Sequence, residues 1–450
     1  MKMSSTKVEE GKGYQTFSST PYLSTSYWQG IAQGSKECSS MLFGNVLEWF
    51  EFCIFAYTED YISHNFCSGS DVASWGVFTL AFCARPFGGE LFGKLGDSIG
   101  RKQAAMYALT GMLVSTFLQG CLPSKEWGGK VGETLGLILL ICCRICVGLC
   151  TGGEVSAVNV YISESRFKEN LGFLTGLLSL TSQLAFGMGA GLVCMLEAFF
   201  SEDEMQQFGW RIPFLLTSLP GAYSLYLLSY ATESHVFLES RAALDVHASD
   251  PLFKTRCFHA VGSLAASAAW WYVGCVYIVT FLKDEGLGDA EASFCGFLSQ
   301  IVSALFCLLF GLLIDIHGVS FYFRTGAVLI GISGIPLYMW LHASPTFGTA
   351  CAAGVLTGAV TGYATTSSTL YTAEVFPTQV RQEGVGVSYN LAVLLFGGMG
   401  PLLCAAVDTW WFPGAWIFLA AMISSVSMYY YKSLHDSELL TAAHIRPELY

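Results

Sequence analysis

Residues 85–102 read RPFGGELFGKLGDSIGRK, an apolar, glycine-rich segment that runs into a polar turn carrying Asp97, Arg101 and Lys102. Part of this pattern returns 218 positions later, where Gly93, Asp97 and Gly100 recur as Gly311, Asp315 and Gly318. A second echo, 210 positions apart, repeats Tyr161 and Glu164 as Tyr371 and Glu374. Two echoes at nearly one period point to a half-molecule written twice, because solenoid repeats are far shorter, about 20–50 residues.

Only 12% of the 450 residues are charged, 53% are hydrophobic, and the mean hydropathy is +0.50. A soluble chain of this size needs much more charge to cover its surface. Apolar stretches of about 20 residues, enough to cross a hydrocarbon core roughly 30 Å thick, recur along the chain. The chain therefore reads as an all-α integral membrane protein. The net charge of −12 comes with no basic run dense enough to track a phosphate backbone, so no nucleic-acid partner is expected. Most of the sixteen cysteines sit inside apolar segments, as in Cys142, Cys143 and Cys146, where a thiol is a small packing residue. No paired C-x-x-C spacing suggests a zinc site, and no nucleophile elbow or phosphate loop suggests an enzyme.

Residues 1–40 are polar and read as a cytoplasmic N-terminal tail. Six spans are expected within 41–231, near 41–63, 73–95, 102–121, 135–160, 171–197 and 210–230. The polar stretch 232–256 reads as a cytoplasmic linker. Six more spans fall within 257–431, near 257–282, 291–314, 321–342, 347–371, 384–407 and 411–431, and 432–450 forms a C-terminal tail. With both ends on the cytoplasmic side, sixteen of the 22 basic residues lie in inner segments, three in outer loops and three in or beside spans. That asymmetry is what the retention of basic flanks on the cytoplasmic side predicts.

Several motifs then resemble the metabolite:proton symporter family of the major facilitator superfamily, whose members carry shikimate, α-ketoglutarate, citrate or proline and betaine. They are Gly44 to Phe52 in the first span, Arg85 to Lys102, Arg144 to Glu154 in the fourth span, and Gly209 to Phe214. The turn from Ala373 to Arg381 and the run Tyr389, Asn390, Phe396, Gly397, Gly398 complete the set. The resemblance covers about residues 41–401. It implies the superfamily fold, twelve transmembrane helices in two pseudo-symmetric six-helix bundles, in a bacterial inner (plasma) membrane. Some positions depart from the family pattern. Ser98 and Val147 replace Arg and Gln, Glu51 replaces Asp, and Ile316, Val319 and Ser320 stand where the second loop motif is usually basic. The Arg that Arg381 supplies in the second half is missing just before Gly172, where Leu171 stands.

The resemblance and the charge pattern together imply a set of working residues. The glycines of residues 85–102 allow helices to approach closely. Gly93, Asp97, Arg101, Glu164, Asp315, Glu374 and Arg381 are expected to form a cytoplasmic gate that holds the outward-facing state as a surface latch. The first copy keeps its charges and the second mainly its glycines and Asp315, so Asp97→Asn is expected to impair transport far more than Asp315→Asn. Charge inside a span is costly and marks function. Asn45, Glu48 and Glu51 are spaced three apart and should share a helix face. A carboxyl in hydrocarbon-like surroundings favours its protonated form, so it can load and release a proton. Glu48, Glu51 and Glu154 are therefore expected to carry the coupling proton, with Arg144 tuning one of them. Arg144 and Glu154, about 80° apart around their helix, should line one cavity without pairing.

Asn45, Arg85, Tyr389 and Asn390 make up the expected substrate-binding set, while Arg211 is expected to tie down a loop. Pro336, Pro401 and the glycines near 397–400 should bend helices at the pathway. Trp49, Trp270, Trp271 and Tyr272 read mainly as packing, with cavity shaping as the alternative. The implied activity is proton-coupled symport of a small polar metabolite by alternating access. The two cationic side chains Arg85 and Arg144 favour an organic acid such as a keto- or dicarboxylate. A zwitterionic osmolyte (proline or betaine) and a passive facilitator of the same fold are the alternatives. The proton is the coupling ion, no metal or other cofactor is expected, and a monomer in the bilayer should suffice.

Overall fold

The computed structural model describes residues 25–69, 71–243 and 250–436. Most of both expected tails, 1–24 and 437–450, and the middle of the linker lie outside the described residues. Twelve long helices follow one another. The first six are α1 (Thr25–Tyr57), α2 (Asp71–Ile99), α3 (Arg101–Gly120), α4 (Lys125–Ser163), α5 (Leu171–Phe199) and α6 (Glu202–Tyr230). The second six are α7 (Phe253–Asp284), α8 (Asp289–His317), α9 (Val319–Ala343), α10 (Phe347–Glu374), α11 (Thr378–Val407) and α12 (Phe412–Asp436). No strand occurs among the described residues. Helices satisfy every backbone polar group internally, which a hydrocarbon surround demands. Eight of the twelve are long and apolar enough to cross a membrane by length and composition alone. The hydropathy of α1, α2 and α10 is diluted by polar residues that turn inward, such as Asn45, Glu48, Arg85 and Thr361.

The echo between the halves has a local cause. Gly100 (φ +119°) and Gly318 (φ +85°) make the same sharp turn, from α2 into α3 and from α8 into α9. A side chain would be strained at both. The bundles α1–α6 and α7–α12 meet mainly through α2 on α11 and α5 on α8. A Cβ on Gly89 would lie 2.3 Å from the Gly386 carbonyl oxygen, and one on Gly172 2.5 Å from that of Gly311. The two seams are thus backbone-to-backbone contacts related by the internal repeat, and glycine makes both possible.

Three expectations need correction. The first helix begins at Thr25 rather than near 41, so the end of the expected tail is structured. Its early residues pack against the α4–α5 connection, which extends the helix beyond its apolar part. The linker carries its own helix, His235–Ala243, whose Phe237 ring lies under the Arg101 guanidinium. Pro336 sits within α9 on an exposed face and not at the seam. The irregular turns at the seam are instead two π-helical segments, Trp270–Tyr277 in α7 and Val393–Gly398 in α11. Such turns cluster at functional sites because the extra residue re-aims its neighbours.

Candidate functional site

A cavity of about 100 Å³ lies between the bundles. Its wall comes from α1 (Asn45, Trp49), α4 (Val155, Val158, Asn159), α5 (Leu178, Ser179, Ser182, Gln183) and α7 (Leu264, Ser267, Ala268, Trp271, Tyr272). The remainder comes from α10 (Thr365, Ser368, Thr369) and α11 (Tyr389, Ala392, Val393). None of these side chains is charged. Asn45 is held by donating to the Thr181 and Ser182 hydroxyls, each at 2.9 Å. Trp49, Phe186 and Trp271 form a cluster with ring centroids 5.6–5.8 Å apart, and this lid joins α1 and α5 to α7. Along each of those helices the aromatic residue is about one turn farther from the gate than its polar neighbour. The cavity therefore lies between gate and lid.

Two members of the expected substrate-binding set, Asn45 and Tyr389, line this cavity, while Arg85 and Asn390 do not. Arg85 is buried, donates to Glu48 and to the Asn390 side-chain oxygen (both 3.2 Å), and so bridges α1, α2 and α11. The amide of Asn390 donates to the Gly152 carbonyl at 3.1 Å. Trp49, Trp271 and Tyr272 shape the cavity, whereas Trp270 turns into the second bundle and donates to Thr361 at 3.1 Å. Sequence reasoning passed over Asn159, Ser182, Gln183, Ser267, Thr365, Ser368 and Thr369. Their signal was present as polar residues in apolar spans, at helical spacing to other lining positions.

The expected proton carriers are buried inside the first bundle and are absent from the cavity wall. This corrects the expectation that Arg144 and Glu154 line a cavity. Asn45 and Trp49 face the seam, and each three-residue step rotates the helix about 60° back, which turns Glu48 and then Glu51 into the bundle. Glu51 pairs with Arg144 at 2.5 Å, with Gln119 beside both. The Arg144 guanidinium also lies 4.0 Å over the Phe55 ring, and its Nε and Nη2 have no hydrogen-bond partner among the described residues. Glu154 is 2% exposed and makes no ion pair or hydrogen bond among the described residues. Its carboxyl rests against Gly44, where a Cβ would come within 2.7 Å of it.

Of the residues expected at the gate, Asp97, Arg101, Glu164 and Arg381 are brought together at one end of the seam. Arg101 pairs with Asp97 at 2.7 Å and with Glu164 at 3.0 Å, and donates to the Thr378 carbonyl of the other bundle at 2.7 Å. Arg381 reaches across to Glu164 at 3.0 Å. Asp97 accepts the backbone N–H groups of Gln382 and Glu383, so it caps the start of α11, and Gly93 lies against Glu383. Asp315 does the same for α5, accepting from Gly172 at 2.6 Å and Phe173 at 3.0 Å. Glu374 makes no ion pair among the described residues, so it does not join the gate in this state. The latch is also not a surface one. Arg101 and Glu164 are fully buried, because the linker covers them with Ser234, bonded to Glu164 at 2.6 Å, and with Phe237 under the guanidinium. Glu233 accepts from the first backbone N–H groups of α3. Arg211 ties down a loop, as expected, donating to the Gly120 and Leu122 carbonyls.

A repeated six-helix unit with a cavity at the seam and a cluster of ion pairs across one end of it fits the build of an alternating-access secondary transporter. Known proteins agree with that class. Residues 38–259 match the family described as Sugar (and other) transporter. A putative proline/betaine transporter of Staphylococcus aureus (strain MSSA476) is 30% identical over 82% of this chain and 80% of its own length. The proline/betaine transporter of Escherichia coli (strain K12) is 26% identical over 82% and 77%. The solved structure of the proton:xylose symporter XylE bound to 6-bromo-6-deoxy-D-glucose superposes with a TM-score of 0.73. At 15% identity, over 90% of this chain and 96% of that one, it shares the fold alone. The chain belongs to the metabolite:proton symporter family of the major facilitator superfamily. It is a membrane transporter of small molecules and not an enzyme.

Proposed function

We propose that this transporter carries a small solute of no net charge, a zwitterion of the betaine or proline kind, together with a proton. One observation carries the choice: the cavity wall has no charged side chain, yet it presents Trp49, Trp271, Tyr272 and Tyr389. A dicarboxylate would lose its hydration there without a counter-charge, at a cost of several kcal/mol. A quaternary or secondary ammonium gains about 0.5–2 kcal/mol from each well-placed aromatic face. The hydroxyls and amides of Asn45, Ser182 and Gln183 suit a neutralised carboxylate. Arg85 and Arg144, which favoured an organic acid, are already engaged by Glu48 and Glu51. The names of the S. aureus and E. coli relatives support the same reading.

Glu154 is assigned the transported proton, because an unpaired carboxylate in that packing would be very costly. Glu48 and Glu51, each beside an arginine, take part in its release. The protein works in the plasma membrane with both termini cytoplasmic, so Asp97 and Asp315 form the inner gate, and one chain suffices because the cavity is complete within it. Uptake of labelled glycine betaine and of a labelled keto acid into proteoliposomes, with and without an imposed proton gradient, tests this. Betaine should accumulate only with the gradient and should be displaced by proline. Accumulation of the keto acid, with no effect of betaine, would overturn the substrate assignment. Equilibration without accumulation would leave a facilitator.

A further inference from the structure

The two halves of the gate are built from the same aspartate but from different neighbours. Around Asp97 the lock is completed by Arg101, which pairs with it, and by Arg381, which joins through Glu164. The matching positions of the second-half lock hold Val319 and Leu171, which carry no charge. Asp315 nevertheless takes up the same pose, with both carboxylate oxygens on the first backbone N–H groups of α5. The hydroxyl of Tyr27 donates to it at 3.0 Å from the start of α1. Tyr27 is 4% exposed and belongs to the first bundle, whereas Asp315 belongs to the second.

The start of α1 is fixed so that Tyr27 can reach. Asn170 donates to the Tyr27 carbonyl at 3.3 Å, and its side-chain oxygen fills the space over Gly30, where a Cβ would come within 2.4 Å. Gly34 admits Phe167 and Leu174 in the same way, and Glu37 pairs with Arg166. Two glycines spaced four apart thus let the helix lie flat on the α4–α5 connection. Asn170 precedes the very helix that Asp315 caps.

We propose that Tyr27 is a gate residue: its hydroxyl closes the second-half lock from the opposite bundle, in the place where the first half uses arginine. The stretch ahead of the first apolar segment thereby sets how long the inner gate stays shut. A hydroxyl breaks more readily than a buried guanidinium pair, so the two locks differ in strength and the Asp315 side gives way first.

This rests on the transporter reading but on no particular substrate, so its test uses none. Hydrogen–deuterium exchange of the full-length protein in nanodiscs is followed for peptides covering 171–174, 381–384 and the distant turn 120–126. Tyr27→Phe, which removes one oxygen, should speed exchange about tenfold at the two gate peptides and leave the distant turn unchanged. Asp315→Asn should do at least as much, and the double variant should be no faster than Asp315→Asn alone, since an amide nitrogen in place of Oδ2 already removes the acceptor of the Tyr27 hydroxyl. Unchanged gate peptides would overturn the proposal, as would additive effects in the double variant. Faster exchange at all three peptides would show a general loosening instead. If Tyr27→Phe lowers the yield, Tyr27→Leu supplies a second probe that stays apolar and lacks any donor for Asp315. Failure of betaine uptake with the expected exchange pattern would remove the substrate assignment and leave the lock standing.

Discussion

Asp97→Asn removes one charge from the end of α2 and keeps the shape of the side chain. In the structure that carboxylate receives two backbone N–H groups of α11, at 3.1 and 2.9 Å, and the Arg101 guanidinium at 2.7 Å. An amide retains one acceptor oxygen, so about one hydrogen bond to a charged group is lost, worth about 1.5–3 kcal/mol. The favourable charge at the start of α11 goes as well, about 0.3–1 kcal/mol more. The sum is about 3 kcal/mol, which moves the ratio of closed to open gate by roughly 100-fold. Asp315→Asn loses the same helix-end charge but disturbs a neutral Tyr27 hydroxyl where Asp97 has Arg101, so about 2 kcal/mol, or roughly 30-fold, is expected. The halves therefore differ by a few-fold, less than the far greater effect expected from charge pattern alone, because both aspartates cap a helix of the opposite bundle. Initial uptake in proteoliposomes at matched protein content reads the effect, with gradient-free exchange as control. Equal losses in the two variants would refute the reasoning, since Arg101 would then add nothing to the first lock.

Trp271→Ala should raise the KM for the zwitterion about tenfold with little change in maximal rate, by removing one aromatic face of the cavity. Glu154→Gln should abolish gradient-driven accumulation yet preserve solute exchange, since a neutral side chain already suits that site; loss of both activities would count against a proton role. Glu51→Gln should destabilise the first bundle by about 3 kcal/mol, because the fully buried Arg144 would lose its counter-charge. Thermal unfolding should show a large drop that Glu51→Gln combined with Arg144→Gln partly restores.

Much of this architecture is written in local chemistry. The apolar windows, the polar turn at 93–102 and its echo at 311–318 are set by side chains a few residues apart, and those distances are fixed along a helix. The same holds for Gly100 and Gly318, whose left-handed turns only glycine accepts without strain. The gate partners Arg101, Glu164 and Arg381 were legible because they belong to motifs that occur at the same end of their helices. The orientation of the intramembrane acids was less so. A three-residue spacing groups Asn45, Glu48 and Glu51 on one side, but 60° of drift per step is enough to put the first at the seam and the last inside the bundle.

By itself the sequence determined a duplicated membrane chain of twelve apolar segments, for which hydropathy and short-range spacing suffice, and the resemblance of its motifs added the transporter class. Tertiary structure alone decided which charges are spent on one another and which face the solute. Glu51 with Arg144, Glu48 with Arg85 and Tyr27 with Asp315 lie 93, 37 and 288 positions apart. Pairings at such separations depend on how rigid helices are packed, and packing left the cavity without any charge at all.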